Sequence, residues 1–403
     1  MHARRIDEGI DWVGAIDWER RLFDELIPVP DGTSYNAYLV RGRDRTALID
    51  AVDPLYAETL RSRLASAKVE RIDYVVSQHA EQDHSGSIPR LLAEHPEATV
   101  LVTEKGKRML TEHLGIPVER MRGVADGERV NLGGLTLEFV HFPWVHWPET
   151  MLTFVPERRT LFTCDLFGGH LASGDLFAHG DPAVLLAAKR YYAEIMMPFR
   201  SVIAKNLGRV RALEPAVIAP SHGPVHEAPA LILEAYRDWV EAPPKNLAVV
   251  AYVSMHDSTH RMVEHLVDAC AARGVRAEQF CLADADVGKL AMLLVDAATL
   301  VLGTPTVLGG PHPKVAYAAI LANLIRPKAT SLAVIGSYGW GGKAVEQLAA
   351  MIPNLELEVL SPVLCRGTPG HADLEALERL ADEIARRHAA LGGGVSGAGA
   401  PGG

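Results

Sequence analysis

Apolar and polar positions alternate along this chain in two different rhythms. From residue 33 to about 242, short apolar runs recur between polar turns: YNAYLV, TALIDA, IDYVVSQ, ATVLVT, LTLEFVHF, MLTFV, RTLFTCD and AVIAPS. Runs this short, rich in Val, Leu, Ile and Phe, predict strands. Helical periodicity intervenes over PLYAETLRSRLASA and across residues 182–213. Many short strands with interspersed helices imply two sheets held between helices, an αββα sandwich. The rhythm then changes at EAPPKN, residues 241–246, where paired prolines remove backbone donors and favour an extended linker. Beyond it come LAVVAYV, a helix over about 259–273, LLVDAATLVLGTP, VAYAAILANLI, TSLAVIGSYG and AVEQLAAMI. Buried strands alternating with helices predict a doubly wound parallel sheet.

The expected organisation is therefore α/β throughout: a first domain over 1–242, a Pro-rich linker at 243–246, and a second domain over 247–390. The Gly-rich end, LGGGVSGAGAPGG at 391–403, can bury almost nothing and is expected to be a flexible tail. No internal repeat is visible.

Composition narrows the partners. With 403 residues, 48% of them hydrophobic, the chain can build more than one core. Its 50 acidic against 40 basic residues leave a charge of −10, which offers no basic field to a phosphate backbone, so nucleic acid is not an expected partner. No stretch approaches the ~20 apolar residues of a membrane span, and MHARRIDEGIDWVG lacks the apolar core of a signal peptide. A cytoplasmic location is expected. Cys164, Cys270, Cys281 and Cys365 form no CxxC pair, so neither a disulfide framework nor a rubredoxin-type iron site is encoded.

Residues 78–89, QHAEQDHSGSIP, carry the first chemistry. His79, Glu81 and Asp83 are spaced by two and His84 follows at once, so an extended strand end and the turn at Ser85–Gly86 can converge them. Later strands end at His146 in FVHFPWVHWPE, Asp165 in LFTCD and His222 in VIAPSHGP. Any one of these is equally well a turn residue or a hydrogen-bonded buried group. Seven ligand-type side chains at successive strand ends, with no thiolate, point together to a metal centre.

The second half supplies a weaker signal. Ser254, Ser258 and Thr259 put hydroxyls and backbone N–H groups at a helix start, which suits a phosphate, although such residues are usually only caps. Two further strand ends, GTPTVLGGPHP at 303–313 and GSYGWGG at 336–342, meet the first at the carboxyl side of the sheet. Their glycines admit a flat ring, and Tyr338 and Trp340 can stack on it or shield it. The alternative for Trp340 is a loop aromatic that plugs an interface.

H-x-E-x-D-H, then His, Asp and S-H-G-P, with GTSYNAYLV, VHWPE, DLFGGHLAS and APSHGP around them, resembles the metallo-β-lactamase-like domain of the flavodiiron proteins (A-type flavoproteins). The three loops of the second half resemble that family's flavodoxin-like FMN domain, in the same order. The resemblance spans roughly residues 1–390. It implies one iron held by His79, Glu81 and His146, a second by Asp83, His84 and His222, and Asp165 bridging them. For His84 two positions stay open, on the metal or turned away from it. Zinc hydrolases of the same fold have a second His where this chain has Glu81, and a carboxylate there suits an iron pair that must hold ferrous and ferric charge. His170 is either a group orienting a carboxylate or an ordinary buried turn histidine. Cys164 stands where a polar residue is expected and reads as a small buried hydrophobe.

For the cofactor cleft the resemblance implies FMN contacts from Ser254, Met255, His256, Ser258, Thr259, Pro305, Thr306, Ser337, Tyr338, Gly339, Trp340 and Gly341. Departures are specific: Asp257 puts a carboxylate in the phosphate loop, His256 replaces a frequent aromatic, and Leu308 and Gly309 replace common Asn side chains. The implied activity is reduction of O2 to water or NO to N2O by FMN and a non-heme diiron pair. It implies an external donor, a rubredoxin or a flavin or deazaflavin reductase, and a head-to-tail homodimer or tetramer. The alternatives are a zinc hydrolase with an accessory flavodoxin-like half, or a non-catalytic flavin electron carrier or gas-binding module.

Overall fold

The computed structural model describes residues 1–392: of the expected tail at 391–403, residues 391 and 392 end the helix His371–Gly392, and the rest, from residue 393, lies outside the described residues. Two compact units emerge: Met1–Tyr192 with Phe199–Glu241, and Ala193–Pro198 with the chain from Ala242 onward.

The first unit contains a seven-stranded sheet in the order Arg4–Asp7, Ile10–Trp12, Tyr38–Arg41, Thr46–Ile49, Tyr74–Val76, Thr99–Val102, Met121–Gly123. A five-stranded sheet runs in chain order through Arg129–Asn131, Thr136–His141, Met151–Val155, Thr160–Phe162 and Val217–Ala219. Successive side chains of the first sheet go to opposite cores. Tyr38, Val40, Ala47, Ile49, Val76 and Leu101 pack with Leu137, Phe139, Met151, Val155 and Phe162 of the second sheet. Leu39, Leu48, Val75 and Val100 pack instead with Leu60, Leu64, Ile88, Leu91 and Leu110, which lie on helices. Burial on both faces is why these strands read as continuous apolar runs rather than alternating ones.

Each apolar run quoted for the first half forms a strand. Two features differ from expectation. The first thirty-odd residues contribute strands of their own, including the hairpin Leu22–Phe23 with Ile27–Pro28. The helical stretch 182–213 is broken into Pro182–Tyr191, a wider turn at Tyr192–Met196, a tight turn at Met197–Phe199, and Arg200–Ala212.

In the second unit five successive strand positions lie parallel, in the order Arg276–Cys281, Leu247–Tyr252, Thr299–Val307, Ser331–Tyr338, then Glu358–Val359 and Val363–Arg366. By chain position this is 2-1-3-4-5, the flavodoxin-like order. The strand order reverses at Leu247–Tyr252, so a crevice opens beyond its carboxyl end and that of Thr299–Val307. Among the described residues no helix is long and apolar enough to cross a membrane.

Candidate metal centre and flavin cleft

The strand Tyr74–Val76 delivers His79 through a short loop that is tightly tied. Gln78 donates its backbone N–H and its Nε2 to the two carboxylate oxygens of Asp50 (2.8 and 2.9 Å), and Met151 N donates to Gln78 O (3.0 Å). The chain then does not stay extended. Residues Gln82–Ser85 form one helical turn, closed by Ser85 N to Glu81 O (2.9 Å) and Gly86 N to Gln82 O (2.8 Å), with Ser85 Oγ donating back to Ala80 O and Glu81 O. This turn, not a strand end, carries Asp83 and His84 round to the far side of the cluster. His146, Asp165 and His222 arrive from loops after strands of the second sheet.

All seven residues converge, and Asp165 lies between two groups. Its Oδ2 is 3.7 Å from His79 Nε2 and 3.4 Å from His146 Nε2, and Glu81 Oε2 completes that side at 3.0 and 3.3 Å from the same nitrogens. Its Oδ1 is 3.0 Å from His84 Nε2 and 3.4 Å from His222 Nε2, with Asp83 Oδ2 3.3 and 3.2 Å from them. His84 therefore faces the cluster. The ligating atoms of His79, Glu81, His146 and Asp165 lie within 4.8 Å of one another, and so do those of Asp83, His84 and His222.

These residues fit metal cations. Both oxygens of Asp83 and Oδ1 of Asp165 are buried without a hydrogen bond, an arrangement that costs several kcal/mol unless positive charge fills it. Two histidines are locked so that Nε2 faces inward: His79 Nδ1 donates to Glu149 Oε1 (2.8 Å), and His222 Nδ1 to Ser34 O (2.6 Å). Such outer hydrogen bonds fix the tautomer and raise ligand basicity. Sequence reasoning missed Glu149, Ser34 and Asp50, because each lies far along the chain from the residue it supports. Glu149 also accepts from Ala80 N (2.9 Å). Glu149→Ala is expected to weaken metal binding about 10- to 100-fold, read by chelator competition, with flavin content unchanged.

Without metal, protons supply the positive charge. Burial disfavours a charged His79, yet the hydrogen bonds it donates to Glu149 and Glu81 outweigh it and raise its pKa to about 10. Against the same burial penalty, Asp165 and its carboxylate neighbours raise His222 to about 10 and His84 and His146 to about 9. Burial alone would raise Glu81 and Asp165, but the surrounding imidazoles hold both below the usual carboxylate range. At neutral pH the metal-free histidines are thus protonated, and a cation must displace those protons. Loading is expected to acidify a weakly buffered solution, and the apparent affinity to climb as pH rises from about 6 towards 9. A dye-reported proton count on metal addition checks this.

The other expectations resolve individually. His170 reaches no carboxylate: its Nδ1 meets Thr33 Oγ1 at 2.9 Å, and its ring packs 4.8 Å from that of His222. The carboxylate-orienting reading is corrected; burial keeps His170 neutral. Cys164 is fully buried, and burial pushes its thiol well above the ordinary value.

In the second unit a cavity of about 350 Å³ lies beyond the strand ends. Ser254, Met255, His256, Ser258, Thr259, Pro305, Thr306, Ser337, Tyr338, Gly339 and Trp340 line it, as does Gly367, which the sequence did not suggest; Gly341 does not. The helix Ser258–Ala272 begins at this cavity without a cap from Asp257; Ser254 Oγ accepts from His260 N (3.1 Å), and the N–H groups of Ser258 and Thr259 are the ones available to an anion. Asp257, at φ +67°, is exposed and forms no cap bond. Leu308 and Gly309, at φ +50° and +82°, are the two central residues of a hairpin between Val307 and Gly310. Both positive angles mark the turn type in which Asn-Gly is favoured, which explains why a leucine there is unusual; Leu308 is fully exposed. Trp340 is 89% exposed at the cavity edge. Its replacement by Ala is expected to weaken FMN about tenfold, measured by fluorescence titration, with metal content untouched.

The model of the ODP family beta lactamase matches residues 33–223. A protein named nitric oxide reductase from Moorella thermoacetica is 35% identical over 394 positions, covering 95% of this chain and 98% of that one. A type A flavoprotein of Rhodobacter capsulatus is 34% identical over 398 positions, covering 94% and 91%. The solved structure of rubredoxin oxygen:oxidoreductase from Desulfovibrio gigas superposes with a TM-score of 0.92 at 29% identity, over 97% of this chain and all of the other. Likeness of this extent, over both units and not the lactamase-like part alone, makes the chain a member of the type A flavoproteins, the flavodiiron family.

Proposed function

We propose that this chain is an oxidoreductase that reduces O2 to water or NO to N2O, with two irons in the cluster of the first unit and FMN in the cleft of the second. The observation that carries the reading is Asp165, whose two oxygens face two separate sets of ligand atoms. His79, Glu81 and His146 would hold one iron, Asp83, His84 and His222 the other, with Asp165 between them. When bound, the ferrous pair supplies one electron from each metal and FMN stores two more.

Reducing O2 to two waters consumes four electrons and four protons; joining two NO as N2O and one water consumes two of each. The chain supplies the surroundings. Glu149 and Ser34 keep His79 and His222 presenting Nε2. Tyr35 and Tyr191, both fully buried, pack their rings 6.0 and 5.7 Å from that of His222 and keep bulk water from that side. Three carboxylates, Glu81, Asp83 and Asp165, offset the metal charge. The helix start at Ser258 receives the FMN phosphate, and the loops around Pro305 and Tyr338 receive the ring.

Electrons come from a separate donor, a rubredoxin or a flavin or deazaflavin reductase; rubredoxin is named for the D. gigas neighbour. A head-to-tail homodimer or dimer of dimers in the cytoplasm completes the proposal, supported by the exposed apolar rim of Met255, Leu308 and Trp340. The test is metal and flavin analysis of anaerobically purified protein, then O2 and NO consumption after reduction. About two irons and one FMN per chain with turnover, as the reading requires, support it. Zinc without flavin restores the hydrolase alternative.

A further inference from the structure

The metal cluster opens to the surface of the first unit through a cavity of about 400 Å³. Five residues give it its charge: Asp24, Asp53, Glu81 and Asp83 on the acidic side, Arg20 on the other. Glu81 and Asp83 belong to the cluster. Asp24 and Asp53 belong to nothing described so far.

The backbone places Asp24 there at a cost. The hairpin Leu22–Phe23 with Ile27–Pro28 is pinned by buried Phe23, whose ring lies 4.6 Å from His170 and 5.9 Å from His222. Its turn then carries two successive non-glycine residues in the left-handed region, Asp24 at φ +50° and Glu25 at φ +52°. Such angles are disfavoured for residues with a Cβ. Asp53, on the same cavity, accepts at Oδ1 from Leu55 N (2.9 Å), which fixes its carboxylate at the start of a short helical turn. Arg20 lies over the Phe23 ring (5.5 Å), and its Nε is buried without a hydrogen bond.

An independent observation points inward. Asp83 lines this cavity, is only 7% exposed, and has neither carboxylate oxygen hydrogen-bonded. A cation entering from the mouth meets a buried, unsatisfied carboxylate at the inner end. The volume matches: a divalent ion with six waters occupies roughly 200 Å³ at ~30 Å³ per water, so it fits with its hydration shell, which a diatomic gas does not require.

We propose that Asp24 and Asp53 form an entry site for the incoming metal: they capture a hydrated divalent cation at the mouth and pass it to Glu81 and Asp83, while Arg20 opposes its approach. This rests on the metal-centre reading above and adds a kinetic role for residues outside the cluster. Attraction at the mouth raises the rate of loading; the final affinity is set by the seven inner residues. The charges oppose each other in sign, so their removal changes the rate in opposite directions.

The experiment is stopped-flow addition of Co²⁺ to metal-free, full-length protein, followed by cobalt absorption and by metal content at the end point. The Asp24→Asn, Asp53→Asn double variant should load about tenfold more slowly at low salt and reach the wild-type end point. Asn tolerates the left-handed angle and still caps the turn, so both folds are kept. Arg20→Gln should load about threefold faster, and salt near 0.5 M should shrink both differences. Unchanged rates, or slower loading in all variants, overturn the entry site while leaving the metal centre intact. A lower end point in the double variant overturns it too, since the two residues would then belong to the final site. If wild-type protein takes up no cobalt, the metal-centre reading falls and the entry site with it.

Discussion

Asp165→Asn yields a protein that binds FMN normally, holds less than one iron per chain and no longer consumes O2 or NO. The substitution keeps shape and removes one charge and one acceptor oxygen. At most positions that is mild, but Asp165 is almost completely buried and presents a different oxygen to each half of the cluster. An amide keeps one oxygen and turns an NH2 towards the other set of imidazoles, so one side meets a donor where it needs an acceptor. His84, His146 and His222 lose a neighbouring anion at the same time. The expected fall in turnover is about a thousandfold, or about 4 kcal/mol. Metal analysis beside flavin absorbance checks it; two retained irons would overturn the proposed bridging role of Asp165.

Glu81→His tests the metal rather than the bridge. It rebuilds the H-x-H-x-D-H pattern of the zinc hydrolases and lowers the cluster's carboxylates from Glu81, Asp83 and Asp165 to two. Glu81 Oε2 now lies 3.0 Å from His79 Nε2 and 3.3 Å from His146 Nε2; an imidazole there replaces an anion with a neutral ligand. Ferric charge loses compensation, while zinc, with one oxidation state, does not need it. The variant purified from mixed-metal medium is expected to exchange iron for zinc and to lose gas reduction by about a thousandfold, with FMN in place. Full iron content with wild-type turnover would show that Glu81 is no ligand.

Much of this was legible in the chain, for a physical reason. Strands buried on both faces leave continuous apolar runs, and His79, Asp165 and His222 follow such runs within a few residues. The helical turn Gln82–Ser85 was not legible, because a four-residue element has no period to read. Nor was the edge strand Arg276–Cys281, half-exposed and polar as RAEQFC, or the end of the helix Val287–Leu294, whose LL runs on into apolar residues leading to Thr299–Val307. The lining of the cleft was anticipated in all but Gly367 because three loops share one end of a parallel sheet. Gly367 escaped because a lone glycine after a short edge strand carries no signal. Glu149 and Asp24 act only through distance in space, which no spacing along the chain encodes.

The seven cluster residues also come from both layers of the first unit: His79, Glu81, Asp83 and His84 follow a strand of the larger sheet, while His146, Asp165 and His222 follow strands of the smaller one. A cation held by both sets acts as a rivet through the sandwich, and its binding energy becomes part of the energy that keeps the two sheets together. Scarcity of iron would then shorten the lifetime of the polypeptide as well as its turnover, because a chain without its rivet opens more readily to proteases.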